Sequence, residues 1–268
     1  MTMKPRVSFI VPSFNETPEV ISESLRSVAK QTFTDFECIV VDESTDPARA
    51  QACERLCNED PRFIYVKPKE RLGLAASLNL ALGMARADWV ARFDSDDVCL
   101  PERIALQMAF LAEHPEVDVL GGGLEIIDEA GKNLAFRDYP VEHDVIARKL
   151  QFTTPLAHPT VIYRRRLVLE AGGYDPSFRF AEDLDLWLRL LNRKVRFANL
   201  PLTVVRYRQQ RTRRQSQHWR FNLKARTKNF SAQMLVRRSI GIAVIGCWSL
   251  LPAPAQESVF KRLLLRRG

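Results

Sequence analysis

Four short runs of β-branched and aromatic residues, each followed by a helix-like stretch, fill the first 110 residues, and this alternation leaves few folds open. The runs are "VSFIV" (7–11), "CIVV" (38–41), "FIYV" (63–66) and "WVARF" (89–93). Near-continuous apolar strands are the habit of parallel sheets covered on both faces. Between them stand helix start signals. Thr17 caps and Pro18 opens a helix predicted to reach about Lys30, and Asp46-Pro47 does the same for one reaching about Asn58. "LGLAASLNLALGMARA" supplies a third helix, and Pro101-Glu102 opens a fourth. Strand alternating with helix predicts an α/β fold with a doubly wound, mostly parallel central sheet.

In such sheets ligands bind at the carboxyl ends of the strands. Those ends read "PSFNE" (12–16), "DES" (42–44) and "DSDD" (94–97), so acids converge on one rim. Asp94, Asp96 and Asp97 repel one another and raise each other's pKa unless a cation or a set of donors sits among them. An EF-hand loop is excluded, because the positions for its third acid, its Gly and its closing Glu hold Val98, Cys99 and Ala105. A hard cation, Mg²⁺ or Mn²⁺, held by one or two carboxylates and by substrate phosphates, fits this oxygen-rich rim. No G-x-G-x-x-G follows the first strand and no G-x-x-x-x-G-K-[ST] occurs, which argues against a dehydrogenase or a P-loop enzyme. "GGG" at 121–123 reads as a structural turn.

In "AEDLDLWLRLL" (181–191), Leu184, Trp187, Leu188 and Leu191 recur at i, i+3, i+4 and i+7, the spacing of a buried helical face. Glu182 and Asp183 then fall in the first turn, where the helix dipole favours negative charge whether or not they do chemistry. Other residues keep two readings as well. Asp42 serves a ligand or caps a turn before Ser44; Glu16 faces a ligand or is a solvated acid; His158 borders a site or fills the core; Cys53 and Cys57 are most simply apolar filler.

The five cysteines form no C-x-x-C pair and have no partnering His cluster, so neither a disulfide framework nor structural zinc is expected, and the chain reads as a resident of a reducing cytosol. The start of the chain has too few apolar residues before Pro12 for a signal segment. The longest apolar run, Ile240 to Leu251, falls short of the ~20 residues of a membrane span. The net charge of +8 hides an asymmetry, since residues 203–268 hold 15 Lys/Arg against the single acid Glu257. That basic, partly apolar segment keeps two readings: a surface for an anionic membrane, or a solvated helical extension. Nucleic acid is not expected as a partner, because no recognised motif is present and the acidic rim repels phosphate.

Taken in order, "VSFIVPSFNE", "ECIVVDEST", "LGLAASLNLALGMARADWVARFDSDD", "LPERI", "RRRLVLEAGGYD" and "AEDLDLWLRL" resemble the family 2 inverting glycosyltransferases of GT-A fold, over roughly residues 5 to 208. The resemblance implies that Pro12, Ser13 and Glu16 line a nucleoside pocket, that Asp42 meets the base or ribose, and that Arg71 and Asn79 approach the nucleotide. It implies that Asp94 and Asp96 are the D-x-D pair at the ribose and the metal, that Asp183 is the general base, and that Glu182 and His158 border the acceptor. Where many relatives bring a further metal contact after a "Y-R" like Tyr207-Arg208, this chain has Gln209 and Gln210, with His218 further on. The implied organisation is a nucleotide-binding half of about 1–100, an acceptor half of about 101–202, and the extension 203–268. The implied activity is metal-dependent transfer of a sugar from a UDP- or dTDP-sugar to a saccharide or lipid-linked acceptor in surface polysaccharide assembly. Such an enzyme would be cytoplasmic or peripheral at the inner face of the plasma membrane. A non-catalytic sugar-nucleotide binding module is the alternative.

Overall fold

The computed structural model describes residues 4–209 and 217–250. Among them nine strands form one sheet: β1 (Val7–Ser13), β2 (Phe36–Asp42), β3 (Phe63–Val66), β4 (Trp89–Arg92), β5 (Val98–Cys99), β6 (Val119–Ile127), β7 (Asn133–Arg137), β8 (Ile162–Arg164) and β9 (Phe197–Arg208). Their spatial order is β3-β2-β1-β4-β8-β6-β9-β5, with β7 paired to β6. The four strands expected from the sequence, β1 to β4, run parallel to one another. The later ones are mixed: β8 is antiparallel to both β4 and β6, whereas β9 is parallel to β6. This is the GT-A architecture.

Alternation along each strand divides the core between the two faces of the sheet. Val7, Phe9 and Val11 of β1 pack with Cys38, Val40, Ile21, Leu25, Cys53 and Ile104, under helices α1 (Pro18–Ala29), α2 (Pro47–Asn58) and, further along the chain, α4 (Arg103–Glu113). Ile10 points the other way, to Ile39, Val41, Leu78, Leu82 and Trp187 beneath α3 (Leu74–Met84) and α7 (Glu182–Asn192). The short helices α5 (His143–Lys149) and α6 (Arg165–Glu170) sit on this second side. Thr17 and Asp46 cap α1 and α2 as their sequence signals require, accepting from the backbone nitrogens of Val20 and Ala48. All five cysteines are free thiols, and four are buried.

Two expectations are corrected. Gly121, Gly122 and Gly123 form no turn; they lie inside β6, where the neighbouring β9 comes too close for side chains. A Cβ on Gly121 would stand 2.2 Å from Asn199 Oδ1, and one on Gly122 would stand 2.7 Å from Val204. The composition boundary at 203 falls within β9, whose pairing with β6 continues to Arg208. Beyond it α8 (Gln217–Lys228) and α9 (Leu235–Ser249) are helical.

Candidate active site

In-register pairing brings the ends of β1 and β2 level, with Ser13 beside Asp42, and sets Arg92, the end of β4, beside Ile10, three residues before the end of β1. After β1 the chain turns sharply at Asn15, a non-glycine residue at φ 58°, the left-handed region that favours glycine. Its side chain repays the strain by accepting from the backbone nitrogens of Thr45 and Asp46, at 2.9 and 3.1 Å, while its own backbone N–H donates to Ser44 Oγ. The two loops are thereby locked together, and Arg49 closes the lock on the Asn15 carbonyl. Glu16 is half-buried. Burial, and then the charges of Asp96 and Asp94, push its carboxyl up to about 7 against the pull of Arg49 and Arg208.

Asp42 is fully buried, accepting from the backbone nitrogen and hydroxyl of Ser44, from Tyr65 and from Lys67. The turn-capping geometry foreseen as its alternative is therefore present. Glu43, which the sequence did not single out, accepts from the backbone nitrogens of Leu72 and Gly73 and from the Ser77 hydroxyl, fixing the start of α3. Arg71 lies over the ring of Phe14, 3.9 Å from its centroid, so a cation and an aromatic face stand together at the mouth of the β1 and β2 loops.

The D-x-D segment follows β4. Carboxylate oxygens of Asp94, Asp96 and Asp97 lie within 4.8 Å of one another. Asp94 is paired with the buried Arg92. Asp97 accepts from the Arg208 backbone nitrogen through Oδ1 at 2.8 Å, whereas its buried Oδ2 has no hydrogen-bond partner among the described residues. Burial, then Asp94 and Asp96, drive the Asp97 carboxyl well above the usual range. An all-oxygen donor set with an orphaned buried oxygen suits a hard divalent cation. Arg208 braces the segment, donating to the Asp96 carbonyl, to the carbonyls of Asp128 and Glu129, and to the Glu23 carboxylate.

The second group of acids lies in the first turn of α7. Ala181, at φ 61°, is again left-handed, so a strained residue immediately precedes both Glu16 and Glu182. Asp183 accepts from the Leu184 backbone nitrogen at 2.7 Å. Glu182 is buried beside His158, with Nδ1 to carboxylate 3.7 Å; His158 Nε2 meets the Tyr174 hydroxyl at 3.1 Å, and that hydroxyl meets Tyr163 at 3.3 Å. Burial and the adjacent Asp183 push Glu182 up to about 8. Burial, then Arg92, hold His158 well below its ordinary value, so the imidazole is neutral. His158 is thus both a core residue and a neighbour of the acid pair.

Arg92 links the two groups of acids electrostatically. It is paired with Asp94, and its charge, like that of Asp94, is felt by Glu182. Asp94 and Asp96 act on Glu16, and Asp94 also acts on Glu182 in the Glu182–Asp183 turn, while Pro12 and Ser13 end β1. Asn79 stands apart, its amide accepting from the Tyr174 backbone nitrogen and donating to the Tyr174 carbonyl. Of the residues considered for a further metal contact, His218 packs against Phe180 at 4.0 Å between ring centres, the Gln209 backbone nitrogen donates to the Ile127 carbonyl, and Gln210 lies outside the described residues. Sequence reasoning gave no role to Arg92 or Tyr174, named Arg208 only within the Tyr207-Arg208 pair, and named Asp97 only within the acid cluster. An arginine inside an apolar strand is the one clear signal for Arg92, since a buried guanidinium must be paired.

The family model described as Glycosyl transferase family 2 matches residues 8–173. The chain is 32% identical to the amylovoran biosynthesis glycosyltransferase AmsE of Erwinia amylovora over 75% of each protein. It is 29% identical to the O-antigen biosynthesis glycosyltransferase WbnJ of Escherichia coli, over 74% of this chain and 78% of that one. Among solved structures it superposes on residues 1–349 of Staphylococcus aureus TarS in complex with UDP-GlcNAc, with a TM-score of 0.67, 22% identity, and 90% and 71% of the two chains covered. The mannosyltransferase PcManGT of Pyrobaculum calidifontis, in complex with GDP-Man and Mn²⁺, gives a TM-score of 0.69, 21% identity, and 98% and 76% coverage. These two structural likenesses bear on the fold.

Proposed function

The chain belongs to glycosyl transferase family 2, and from that premise we propose that it transfers a sugar, with inversion, from a UDP- or dTDP-sugar to a hydroxyl of a saccharide or lipid-linked acceptor in surface polysaccharide assembly. The observation that supports this reading is that Arg92 and Asp94, at the acidic sheet rim, act electrostatically on Glu182 in the first turn of α7. An inverting displacement needs opposed charges on the two sides of a sugar: a base behind the acceptor hydroxyl and a counter-charge for the leaving diphosphate. The polysaccharide-related names of AmsE and WbnJ support the pathway, and the nucleotide-sugar ligands of TarS and PcManGT support the donor class.

Asp183 takes the acceptor proton as its oxygen bonds to the anomeric carbon, and the bond from that carbon to the diphosphate oxygen breaks. Glu182, its carboxyl pushed up to about 8 by burial and by the adjacent Asp183, holds its own proton at neutral pH. Asp96 and Asp94, with Asp97 behind them, would hold Mg²⁺ or Mn²⁺. When bound, that ion neutralises the diphosphate charge that grows as the glycosidic bond breaks. Pro12, Ser13, Glu16 and Asp42 line the nucleoside side, where Phe14 and Arg71 offer the base a ring and a cation to stack on. Asn79 acts at one remove, by holding the Tyr174 backbone. His158 and Glu182 border the acceptor. The basic segment 203–268 supports placement at an anionic membrane, on the cytoplasmic face where a lipid-linked acceptor would be met.

The test is release of nucleoside diphosphate from a panel of nucleotide sugars, with and without Mn²⁺. Turnover should appear with one UDP- or dTDP-sugar, require the divalent ion, and fall by at least about a hundredfold in Asp183→Asn, the scale of losing a general base. Tight donor binding without turnover under every condition would instead identify a sugar-nucleotide binding module.

A further inference from the structure

A helix on the surface of a globular domain ordinarily buries its apolar face and shows water its polar one. Helix α9 is inverted. Its inward face carries Arg238, Gly241 and Ile245. Arg238 donates to the Asn229 carbonyl and, at 2.6 Å, to Asn192 Oδ1, while Gly241 sits so close to the Gln151 carbonyl that a Cβ there would be 2.1 Å away. These contacts fix which side of α9 faces the protein. Its other side presents Val236, Ile240, Ala243, Val244 and Cys247, with Leu250 just past its end, all exposed; Val236 is 70% and Leu250 84% accessible. Their spacing of i, i+4, i+7, i+8, i+11 and i+14 makes one continuous stripe.

The surrounding charge decides what covers the stripe. Residues 203–268 hold 15 Lys/Arg against the single acid Glu257; among the described residues, Arg206, Arg208, Lys224, Arg226, Lys228 and Arg238 bond within the protein. Arg237 lies exposed in the first turn of α9, and Lys261, Arg262, Arg266 and Arg267 follow it in sequence. A second copy seated on the stripe would bring a like-charged segment against this one. Nucleic acid would satisfy the cations but leave the aliphatic stripe in water. An anionic bilayer surface satisfies both. At ~1.5 Å per residue, 15 residues span about 22 Å, less than the ~30 Å hydrocarbon core, and no helix among the described residues is long and apolar enough to cross a membrane.

We infer that α9 is an in-plane membrane anchor: the Val236–Ile240–Val244–Leu250 stripe enters the acyl boundary of an anionic leaflet while the flanking Lys and Arg meet its headgroups. This rests on the membrane placement proposed above and is independent of the sugar-transfer chemistry. Flotation of the full chain with vesicles of phosphatidylcholine alone, or phosphatidylcholine with phosphatidylglycerol, tests it. Wild-type protein should float only with the anionic vesicles, and less so at high salt. Val236→Ser/Ile240→Ser/Val244→Ser should lower the bound fraction about tenfold without changing the melting temperature or the turnover of soluble nucleotide sugar, whereas Val236→Leu/Val244→Leu should raise binding several-fold. Cys247 is on the stripe while the other four cysteines are buried, so a solvatochromic thiol label there should shift to the blue on anionic vesicles. Wild-type binding that the serine variant leaves unchanged would remove α9 from the interface while sparing the membrane placement. Failure of the wild type to bind any vesicle would overturn both, as would a wild-type dimer that the serine variant dissolves.

Discussion

Glu182 shows how much chemistry one buried side chain can carry. Its carboxyl has an ordinary value of 4.5 and sits at about 8 in the folded chain, because burial and Asp183 disfavour its charge. Between those values the native state holds a proton that the unfolded chain releases, so this group's share of stability is full below about pH 4.5 and is lost as pH rises through about 8. Glu182→Gln, a neutral isostere, should flatten that dependence: urea melts at pH 5 and pH 9 should show the variant gaining several kcal/mol on the wild type at the higher value, of the order linkage gives for such a shift. Tyr174→Phe tests the other end of the network. It takes away the hydroxyl that meets both His158 Nε2 and Tyr163, and should cost about 1–3 kcal/mol in unfolding free energy while displacing the pH profile of kcat. Phe14→Ala, which removes the ring under Arg71, should raise donor KM several-fold with kcat little changed, because stacking on a base is felt equally before and during the reaction. At this scale the sequence reveals acids readily, since carboxylates at strand ends have few other reasons to cluster. It hides the groups that position them. Tyr174 and Arg208 reach the site from distant elements, and nothing in their local sequence announces it.

Among the elements, the strands and helices with a local signature are legible and those defined by a neighbour are not. β1 to β4 and α1 to α4 announce themselves by apolar runs and by Thr17, Pro18, Asp46 and Pro47. The triple glycine of β6 reads locally as a turn because glycine weakens isolated strands. It is a strand because β9 packs Asn199, Leu202 and Val204 against it, a contact between residues some 80 apart in sequence, far beyond the reach of any local pattern. Gly122→Val should therefore destabilise the fold by about 1–3 kcal/mol or more through overpacking against Val204, measured by chemical denaturation, whereas Gly131→Ala has open space and meets only the strain of φ 82°.

For the molecule as a whole, composition misplaced the end of the sheet domain. The basic residues begin inside β9, and the first of them are structural, Arg206 pairing with Glu125 and Arg208 holding the metal-side loop. The extension is also no passive tail. Lys228 and Asn229, at the end of α8, bond Asp185 on the buried side of α7 at 3.0 and 2.9 Å, so they steady the helix that carries Asp183. The account depends on the two walls, contributed by β4 and α7, belonging to one pocket that opens across a bound sugar. A crystal structure of Asp183→Asn with the donor it accepts and Mn²⁺ measures this directly. The ion should lie on Asp96 and Asp94, and residue 183 should face the anomeric carbon with room for one acceptor hydroxyl between them. An ion held elsewhere, or a sugar whose anomeric carbon turns away from α7, would contradict it.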